Sequence, residues 1–241
     1  MALPLPLQGR TALVTGASRG IGAAVARRLA NSGARVALLA RSTDALQSLA
    51  EEIGGGAVSL SCDVRDTAAL TRTLVQLPDL IGGAPEIIVN NAGAFFIKAV
   101  DNTPVDAFSA MLAVNLTAPF AIVRAFLPAL RAAHCGHVVS IGSIADRTTF
   151  PGNSAYAASK HGLRALHEVL RAELRGSGIR VSLVSPGPVD TELWNPVDPD
   201  TQPGFTRRAD MLHRDAVADA VLYVVTAPRD LNVDEMRVSR T

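Results

Sequence analysis

Short apolar segments rich in Val, Ile and Leu alternate with longer helical patterns along the 241 residues of this chain. Some of these segments, such as 87–89, are apolar at every position, as strands covered on both faces of a sheet require. Repeated strand-then-helix order indicates a parallel sheet with helices on both faces, and right-handed crossovers make it a doubly wound α/β fold. We predict seven strands, at 11–15, 35–40, 57–62, 86–90, 137–142, 179–184 and 233–238, and helices at 20–32, 43–53, 66–77, 104–132, 154–176 and 213–226.

The composition is that of a well-filled core without a division into two domains. Hydrophobic residues make up 48% of the chain and charged residues 19%, which excludes a disordered chain. No Pro/Gly-rich linker divides the sequence, so we expect a single domain over residues 1–241. The longest irregular stretch, Pro186 to Arg208, contains five prolines. Because so long a loop in a compact domain is usually functional, we predict a substrate lid near 187–208.

Charge, cysteines and histidines narrow the classes of function. The net charge is +1, so no bulk field favours nucleic acid or an anionic membrane surface. No uninterrupted apolar run is long enough to span a bilayer, and the apolar start at 1–8 is too short for a signal peptide. Cys62 and Cys135 make no disulfide framework, so we expect thiols in a reducing compartment, the cytoplasm. The five histidines lack the spacing of metal ligands, so we expect no metal.

A glycine-rich turn follows the first predicted strand. Residues 16–22 read Gly-Ala-Ser-Arg-Gly-Ile-Gly and lead directly into a predicted helix. A strand, a glycine turn and a helix N-terminus together make an anion site from backbone N–H groups and the helix dipole. The glycines allow a pyrophosphate to approach the backbone closely, although glycines also serve plain turns. The spacing is G-x-x-x-G-x-G rather than the commoner G-x-G-x-x-G.

Tyr156 and Lys160 stand four residues apart in a predicted helix, so they point to the same face. An ammonium held near a phenol favours the phenolate and lowers the pKa of tyrosine from about 10. Such a tyrosine can donate and accept a proton near neutral pH. Ser143 follows the preceding strand. Taken separately, Tyr156 and Lys160 are typical of an ordinary amphipathic helix, and Ser143 is typical of a turn. Taken together, the three residues predict acid–base chemistry.

Asn115 lies in the middle of the predicted helix 104–132, and Pro119 stands four residues later. Proline has no N–H group, so the carbonyl of Asn115 loses its helical partner. A carbonyl freed in this way can hold a water molecule. The same pattern also describes a simple helix kink, and the two interpretations are compatible.

These motifs, together with 90–93 (Asn-Asn-Ala-Gly) and Pro186-Gly187, resemble the short-chain dehydrogenase/reductase family over about residues 8–190. The resemblance implies a Rossmann-like fold and hydride transfer between a nicotinamide cofactor and a carbonyl or secondary alcohol. The implied catalytic residues are Asn115, Ser143, Tyr156 and Lys160. The implied cofactor-binding residues are Gly16, Ser18, Arg19, Gly20, Ile21, Gly22, Arg41, Asp63, Val64, Asn90, Ala92, Gly93, Tyr156, Lys160, Pro186, Gly187, Val189 and Thr191.

The resemblance also implies roles for these residues. Tyr156 would be the proton donor in reduction and the base in oxidation. Lys160 would depress the pKa of Tyr156 and hold the ribose, and Ser143 would hydrogen-bond the substrate oxygen. In the family, the counterpart of Asn115 holds a water that links the lysine to solvent. The counterpart of Asp63 contacts the adenine.

The end of the second strand bears on the choice of cofactor. In dinucleotide-binding folds an acidic residue about twenty positions after the glycines binds the ribose hydroxyls and selects NAD. Ala40 and Arg41 stand there instead, and Arg19 lies in the glycine turn. Two cations without a carboxylate suit a 2′-phosphate, which favours NADP(H) over NAD(H). The alternative is that both arginines are only solvated surface residues.

The substrate is a small molecule whose identity the sequence leaves open. The end of the chain, 231–241, lacks the glycine-rich segment of acyl-carrier-protein ketoreductases, so that activity is the less favoured assignment. Arg147 could meet a substrate carboxylate or be solvated. A regulator that senses NADP(H) without turnover is the alternative to an enzyme. Residues expected to form an apolar pocket wall, or else to pack in the core, are Phe95, Phe96, Phe150, Leu193, Trp194 and Phe205.

Helices 104–132 and 154–176 carry more apolar surface than one sheet face can cover. We therefore predict a homo-oligomer, and the resemblance implies pairing of these helices across a twofold axis in a dimer of dimers. The apolar residues concerned are Phe108, Met111, Leu112, Phe120, Val123, Phe126, Leu127, Leu163, Leu166, Val169, Leu170 and Leu174.

Overall fold

A computed structural model describes residues 4–241, so the first three residues of the apolar start at 1–8 lie outside it. Seven parallel strands form one sheet in the order β3-β2-β1-β4-β5-β6-β7, which confirms the predicted Rossmann-like, doubly wound α/β fold. Every predicted strand is present; β1 and β2 have the predicted bounds, and the ends of the others are shifted by at most two residues. The strands are β1 (Thr11–Thr15), β2 (Arg35–Ala40), β3 (Val58–Ser61), β4 (Ile87–Asn90), β5 (Gly136–Ile141), β6 (Ile179–Pro186) and β7 (Glu235–Val238).

Helices cover both faces of the sheet. Side chains alternate along each strand, so Val14 of β1 packs in one apolar layer and Leu13 packs in the other. The first layer contains α1, α2 and α7, and the second contains α3, α5 and α6. The helices are α1 (Gly20–Asn31), α2 (Thr43–Ile53), α3 (Thr67–Ile81), α4 (Val105–Leu112), α5 (Ala118–Ala133), α6 (Ser154–Glu173) and α7 (Arg214–Thr226).

Two helices differ most from their predicted bounds, and α6 ends three residues earlier than predicted. The helix predicted at 66–77 continues through Pro78 to Ile81. Pro78 has no N–H to donate to the carbonyl of Leu74, so the helix loses one hydrogen bond near its C-terminal end and ends one turn later. The helix predicted at 104–132 is divided into α4 and α5 by a π-helical turn at Ala113–Thr117.

Val105–Ala133 is 29 residues long and reaches a mean hydropathy of 1.7, which is enough to cross a membrane by length and composition. The prediction that no segment could span a bilayer considered only uninterrupted apolar runs, and therefore did not detect this helix. It is weak on its own, because core helices pass the same test. The face of α5 that carries Ile122, Phe126 and Leu130 packs in the second apolar layer.

The apolar surface of α5 and α6 is smaller than the sequence suggested. Leu170 is 8% exposed and packs in the second layer, so it belongs to the core of the chain itself. Met111, Val123, Phe126, Leu163 and Leu174 are also buried. Phe120 and Val169 remain about half exposed. A shallow groove between the two helices is lined by Phe120, Val123, Arg124, Leu127, Pro128, Arg131, Leu166, Leu170 and Glu173.

Candidate active site

A cleft of about 1250 Å³ opens at the carboxyl ends of the strands. This is the edge where ligands bind in doubly wound sheets, because the sheet order reverses next to β1 and β4. The cleft runs from the glycine turn after β1, past the ends of β2 and β3, to the ends of β4, β5 and β6. It therefore brings together residues that are far apart in the sequence.

The glycine turn is packed tightly against the segment after β4. A Cβ on Gly16, which has a φ of +65°, would lie 2.9 Å from the Cα of Ala92. Asn91 holds the turn by donating from Nδ2 to the carbonyls of Thr15 (2.8 Å) and Gly16 (3.3 Å). The Thr15 hydroxyl accepts the N–H groups of Asn91 and Ala92 in return. Sequence reasoning quoted Asn91 only as part of a motif and missed this clamp.

The N-terminus of α1 faces the cleft without a side-chain cap. Arg19 occupies the N-cap position, but no side chain accepts the first N–H groups and the first turn has no acidic residue. The helix dipole and these free donors suit an anion. The turn and the helix start therefore fit the pyrophosphate of a dinucleotide.

The far end of the cleft carries several charged side chains. Arg19 and Arg41 are exposed and both line it. Asp63 also lines it, but Arg65 donates to both carboxylate oxygens, with a shortest distance of 2.6 Å. This ion pair holds the pKa of Asp63 below its ordinary value. Sequence reasoning missed Arg65, for which the only signal was its place two residues after Asp63.

Ser143 stands at the other end of the cleft, on a short turn after β5. It caps the 3₁₀ turn Ile144–Asp146, and its Oγ accepts the N–H of Ala145 at 3.1 Å. The Asp146 carboxylate accepts the N–H of Ser143 at 3.2 Å. This reciprocal pair of bonds orients the serine turn. Asp146 was not singled out in the sequence, although a serine followed three residues later by an acid is the signal of such a cap.

Tyr156 and Lys160 lie on one face of α6 and both line the cleft, as their spacing predicts. The Lys160 ammonium lies 5.7 Å from the centre of the Tyr156 ring. It donates to the carbonyl of Ile141 at 2.8 Å. Burial lowers the pKa of Lys160 to about 8, while the negative charge of Asp146 acts in the opposite direction.

The pKa of Tyr156 is raised, so the expected depression by Lys160 is wrong for this structure. Burial is the largest cause, because it disfavours the charged phenolate. Hydrogen bonding to Ser143 acts in the opposite direction, and the charge of Asp146 raises the pKa further. Lys160 is not among the groups that shift the pKa of Tyr156.

Asn115 is buried behind the cleft and does not line it. Its side chain bonds both backbone groups of Ala94, at 2.8 and 3.0 Å, and donates to Ser159 Oγ at 2.9 Å. Ser159 Oγ donates in turn to the carbonyl of Tyr156 at 2.7 Å. Asn115 therefore connects the helix of Tyr156 and Lys160 to the end of β4.

Two expected cofactor contacts are also absent from the cleft wall. Gly22 lies under the turn, where a Cβ would come within 2.5 Å of Asn91 Nδ2. Asn90 is 3% exposed at the buried end of β4. The expected residues that do line the cleft are Gly16, Ser18, Arg19, Gly20, Ile21, Arg41, Asp63, Val64, Ala92, Gly93, Ser143, Tyr156, Lys160, Pro186, Gly187, Val189 and Thr191.

An aromatic wall covers the end of the cleft near Tyr156. The Phe95 ring meets Tyr156 and Trp194 edge-on, each at 4.9 Å between centres, and Trp194 meets Phe205 at 6.2 Å. The other side comes from α4, which sequence reasoning did not assign to the pocket. Its lining residues are Ala107, Ala110 and Met111. All six apolar residues expected in the pocket wall line the cleft.

Arg147 is an ion-pair partner rather than a free cation. Its guanidinium binds Glu235 of β7 and lies 3.8 Å from Asp146 Oδ1. It does not line the cleft, so a contact with a substrate carboxylate is not supported. Among residues 4–241, no three His, Cys, Asp or Glu side chains are grouped as metal ligands.

Comparison with known proteins decides the family. The family model for short chain dehydrogenase matches residues 10–202. The chain belongs to the short-chain dehydrogenase/reductase family. A second match is an uncharacterized oxidoreductase of Staphylococcus epidermidis, 31% identical over 95% of this chain and 96% of that protein. This membership makes the protein an oxidoreductase.

Two further similarities extend this result. The crystal structure of a metagenomic short-chain oxidoreductase in complex with NADP is 35% identical, covers 98% of this chain and 99% of its own, and superposes with a TM-score of 0.83. The glycine betaine reductase of Emericella nidulans is 35% identical over 97% of this chain. The chain spans only 19% of the length of that reductase.

Proposed function

We propose that this protein is an NADP(H)-dependent carbonyl reductase or alcohol dehydrogenase with Tyr156 as its general acid and base. The observation that carries the proposal is the convergence of Ser143, Tyr156 and Lys160 at one end of a cleft that fits a dinucleotide. A protein that only sensed the dinucleotide would have no need of this proton-transferring group.

Ser143, Tyr156 and Lys160 would have different roles in the reduction. When bound, the nicotinamide would supply the hydride. Ser143 Oγ accepts the N–H of Ala145, and its hydroxyl, which hydrogen-bonds Tyr156 in the free protein, would donate to the substrate oxygen instead. Tyr156 donates the proton to the developing alkoxide, and Ser143 stabilises the charge there. Lys160 lies behind the phenol and would return a proton to it after each cycle, with a water held by the Asn115 carbonyl as the next relay.

The protonation states favour reduction. The raised pKa of Tyr156 keeps the phenol protonated at neutral pH, which is the form that a general acid requires. Oxidation would need the phenolate and would therefore be favoured at higher pH.

NADP(H) is the proposed cofactor. Arg19 and Arg41 are exposed at the end of the cleft where β2 terminates, and the residue at that end of the strand is Ala40 rather than an acid. Guanidinium groups bind phosphate through charge-assisted hydrogen bonds. The NADP complex of the similar metagenomic oxidoreductase supports the same choice.

An apolar, aromatic ketone or aldehyde is the proposed class of substrate. The wall next to Tyr156 consists of aromatic rings and the short apolar side chains of α4. Apolar walls with a few polar groups at one end orient a small ligand. We further propose a single domain, a lid at 187–208, a homo-oligomer and a cytoplasmic location; the last is supported by two unpaired cysteines.

The decisive experiment is a screen of NADPH and NADH oxidation against a panel of ketones and aldehydes, with Tyr156→Phe in parallel. Loss of a general acid reduces kcat by about 10²- to 10⁴-fold. We expect turnover with NADPH that falls by at least this factor in the variant, at unchanged cofactor affinity. Binding of NADPH without turnover on any substrate would favour the sensing protein, and turnover by Tyr156→Phe at the wild-type rate would exclude the mechanism.

A further inference from the structure

Asp146 is a buried carboxylate between the serine turn and the sheet. Its side chain is 1% exposed, and its Oδ2 accepts the N–H of Ser143 at 3.2 Å and the hydroxyl of Ser185. Oδ1 has no hydrogen-bond partner. Burying a carboxylate is costly unless it is paired, so a side chain held in this way calls for an explanation.

The surrounding residues leave room for this carboxylate. A Cβ on Gly142 would lie 2.6 Å from Asp146 Oδ2, so only glycine fits beside the contact between Asp146 and Ser185. Ser185 precedes Pro186 and Gly187, which line the cleft. Asp146 therefore joins the turn that carries Ser143 to the end of β6.

The charged and titratable groups around Asp146 belong to three elements: α6, the turn after β5, and β7. From α6 these are Tyr156, Lys160 and Arg164; the guanidinium of Arg164 bonds the Asp146 backbone carbonyl at 3.1 Å. Arg147 of the same turn lies 3.8 Å from Oδ1, and Glu235 of β7 occupies the other side of that guanidinium. Arg147 is about one-third exposed and already paired, so it only partly offsets the buried charge.

We propose that Asp146 is a positioning residue that acts through Ser143 and Tyr156: its carboxylate fixes the serine turn against β6, and its negative charge opposes the formation of a phenolate beside that turn. The part that concerns catalysis rests on the proposed function. The electrostatic part concerns the free protein and can be measured without a substrate.

The direction of the electrostatic effect follows from charge repulsion. Asp146 accepts the backbone N–H of Ser143, and Ser143 hydrogen-bonds the Tyr156 phenol, so the two acids are linked through one residue. Burial is the largest cause of the raised pKa of Tyr156, and the Asp146 carboxylate raises it further by repelling a phenolate. It also raises the pKa of Lys160, against the lowering caused by burial. Neutralising Asp146 should therefore make both groups lose their protons at lower pH.

The chain offers a direct measurement because it has only two tyrosines. Tyr223 is 62% exposed on α7, so Tyr223→Phe is expected to fold and leaves Tyr156 as the only phenol that titrates. In this background, the ultraviolet difference absorbance of tyrosinate is followed by stopped-flow pH jumps, before alkaline unfolding occurs. Asp146→Asn removes the charge and keeps an oxygen acceptor, while Asp101→Asn removes an exposed charge outside the cleft.

We expect Tyr156 to ionise at lower pH in Asp146→Asn than in the parent, and at the parent's pH in Asp101→Asn. Ser185→Ala keeps the carboxylate and should leave the titration unshifted. An equal or higher midpoint in Asp146→Asn, or no titration in either protein, would overturn the proposal. If Asp146→Asn does not fold, Asp146→Ser is measured in its place; failure of both to fold would also overturn the proposal, since the role would then be purely structural.

Kinetics then separate this proposal from the proposed function. On a substrate found in the screen, the fall of the reduction rate at high pH should move to lower pH in Asp146→Asn, and kcat should fall more than KM rises. A change in kcat or melting temperature without movement of the pH profile would contradict the electrostatic role. Absence of any substrate would defeat the proposed function, and the tyrosine titration would still support or overturn the electrostatic role of Asp146.

Discussion

At the scale of single residues, the ionisation of Tyr156 depends on burial more than on its lysine neighbour. The Lys160 ammonium is itself desolvated, and its pKa of about 8 means that it is largely, but not fully, charged at neutral pH. It also donates to the carbonyl of Ile141, so its charge is directed at the backbone as well as at the phenol. The spacing of Tyr156 and Lys160 predicts that they share one face of the helix, but it does not predict how far each side chain is desolvated.

Arg41 gives the sharpest test of cofactor choice. A charge-assisted hydrogen bond contributes about 1.5–3 kcal/mol, and less at an exposed site. Arg41→Ala should therefore weaken NADP(H) binding by roughly ten- to a hundredfold and leave NAD(H) nearly unchanged. Calorimetric or fluorescence titration with both cofactors measures this difference. Arg175→Ala, at an exposed arginine outside the cleft, is the matched control and should change neither affinity; equal losses for both cofactors in Arg41→Ala would refute the assignment.

His137 predicts how stability depends on pH. It is fully buried on β5, with Nε2 2.8 Å from Ser182 Oγ, and burial lowers its pKa from 6.5 to about 3. Between these values the unfolded chain binds a proton that the folded chain does not, so the free energy of unfolding falls by about 1.4 kcal/mol per pH unit as the pH decreases. This contribution is fully present above pH 6.5.

Denaturant unfolding of His137→Asn from pH 4 to 7 measures this contribution. The variant should lose the one-proton slope, whatever its absolute stability. His134→Asn is the control, because His134 is exposed and has a φ of +47°, a conformation that asparagine tolerates. Curves for wild type and His137→Asn that run parallel would show that the buried imidazole is not the source of the slope.

At the scale of elements, the π-helical turn is the local consequence of one proline. Pro119 cannot donate to the carbonyl of Asn115, and the ladder widens so that the N–H of Ala118 bonds the carbonyl of Ala113. The Asn115 side chain bonds the segment after β4 and Ser159 of α6. A break in one helix thus aligns a second helix, the one that carries Tyr156 and Lys160.

The loop at 187–208 combines a fixed base with an open tip. Arg208 bonds the Asp190 carboxylate at 2.8 Å, the Thr191 carbonyl at 3.1 Å and Asn195 Oδ1 at 2.7 Å. Trp194 packs on Phe95, whereas the segment 199–204 is mostly exposed. Arg208 therefore joins the two ends of the loop at its base, and the middle of the loop is exposed to solvent.

Amide hydrogen exchange should detect closure of this loop. We expect fast exchange over 195–206 in the free protein and slower exchange with NADP(H), because the loop would fold over the bound cofactor. Exchange in α3, none of whose residues lines the cleft, provides an internal reference that the cofactor should leave unchanged. Slow exchange in the free protein that NADP(H) does not alter would contradict a lid.

At the scale of the whole molecule, the groove between α5 and α6 is the surface expected to pair with another copy. Phe120 and Val169 are half exposed there, while Leu170 belongs to the core. Glutamate at Leu170 would therefore unfold the chain rather than separate subunits. Charges at the exposed positions test assembly without disturbing the core.

Light scattering of Phe120→Glu and Val169→Glu should give smaller assemblies than wild type, whose mass should be a multiple of 25.2 kDa. Activity should fall in parallel, because subunit contacts would support the helices that carry Asn115, Tyr156 and Lys160. Val75→Glu is the control, since Val75 is 72% exposed on α3, away from the groove. A wild-type protein that is monomeric at micromolar concentration would rule out this interface.

Most of the fold and much of the site could be predicted from local sequence patterns. Fully apolar strands and their alternation with helices define a covered parallel sheet, and strand ends then define where the site lies. Contacts between distant segments could not be predicted in the same way. The Asn91 clamp, the ion pair of Arg65 with Asp63 and the bond between Asp146 and Ser185 each depend on how segments meet in space.

Sequence alone determined the order of strands and helices, the glycine turn and the shared face of Tyr156 and Lys160, because these follow from backbone geometry over a few residues. Only the tertiary structure decided that Gly22, Asn90 and Asn115 stay behind the cleft wall. It also decided that Leu170 is core and that the pKa of Tyr156 is raised rather than lowered. Burial and solvation depend on all the segments that surround a side chain, and no local pattern records which segments those are.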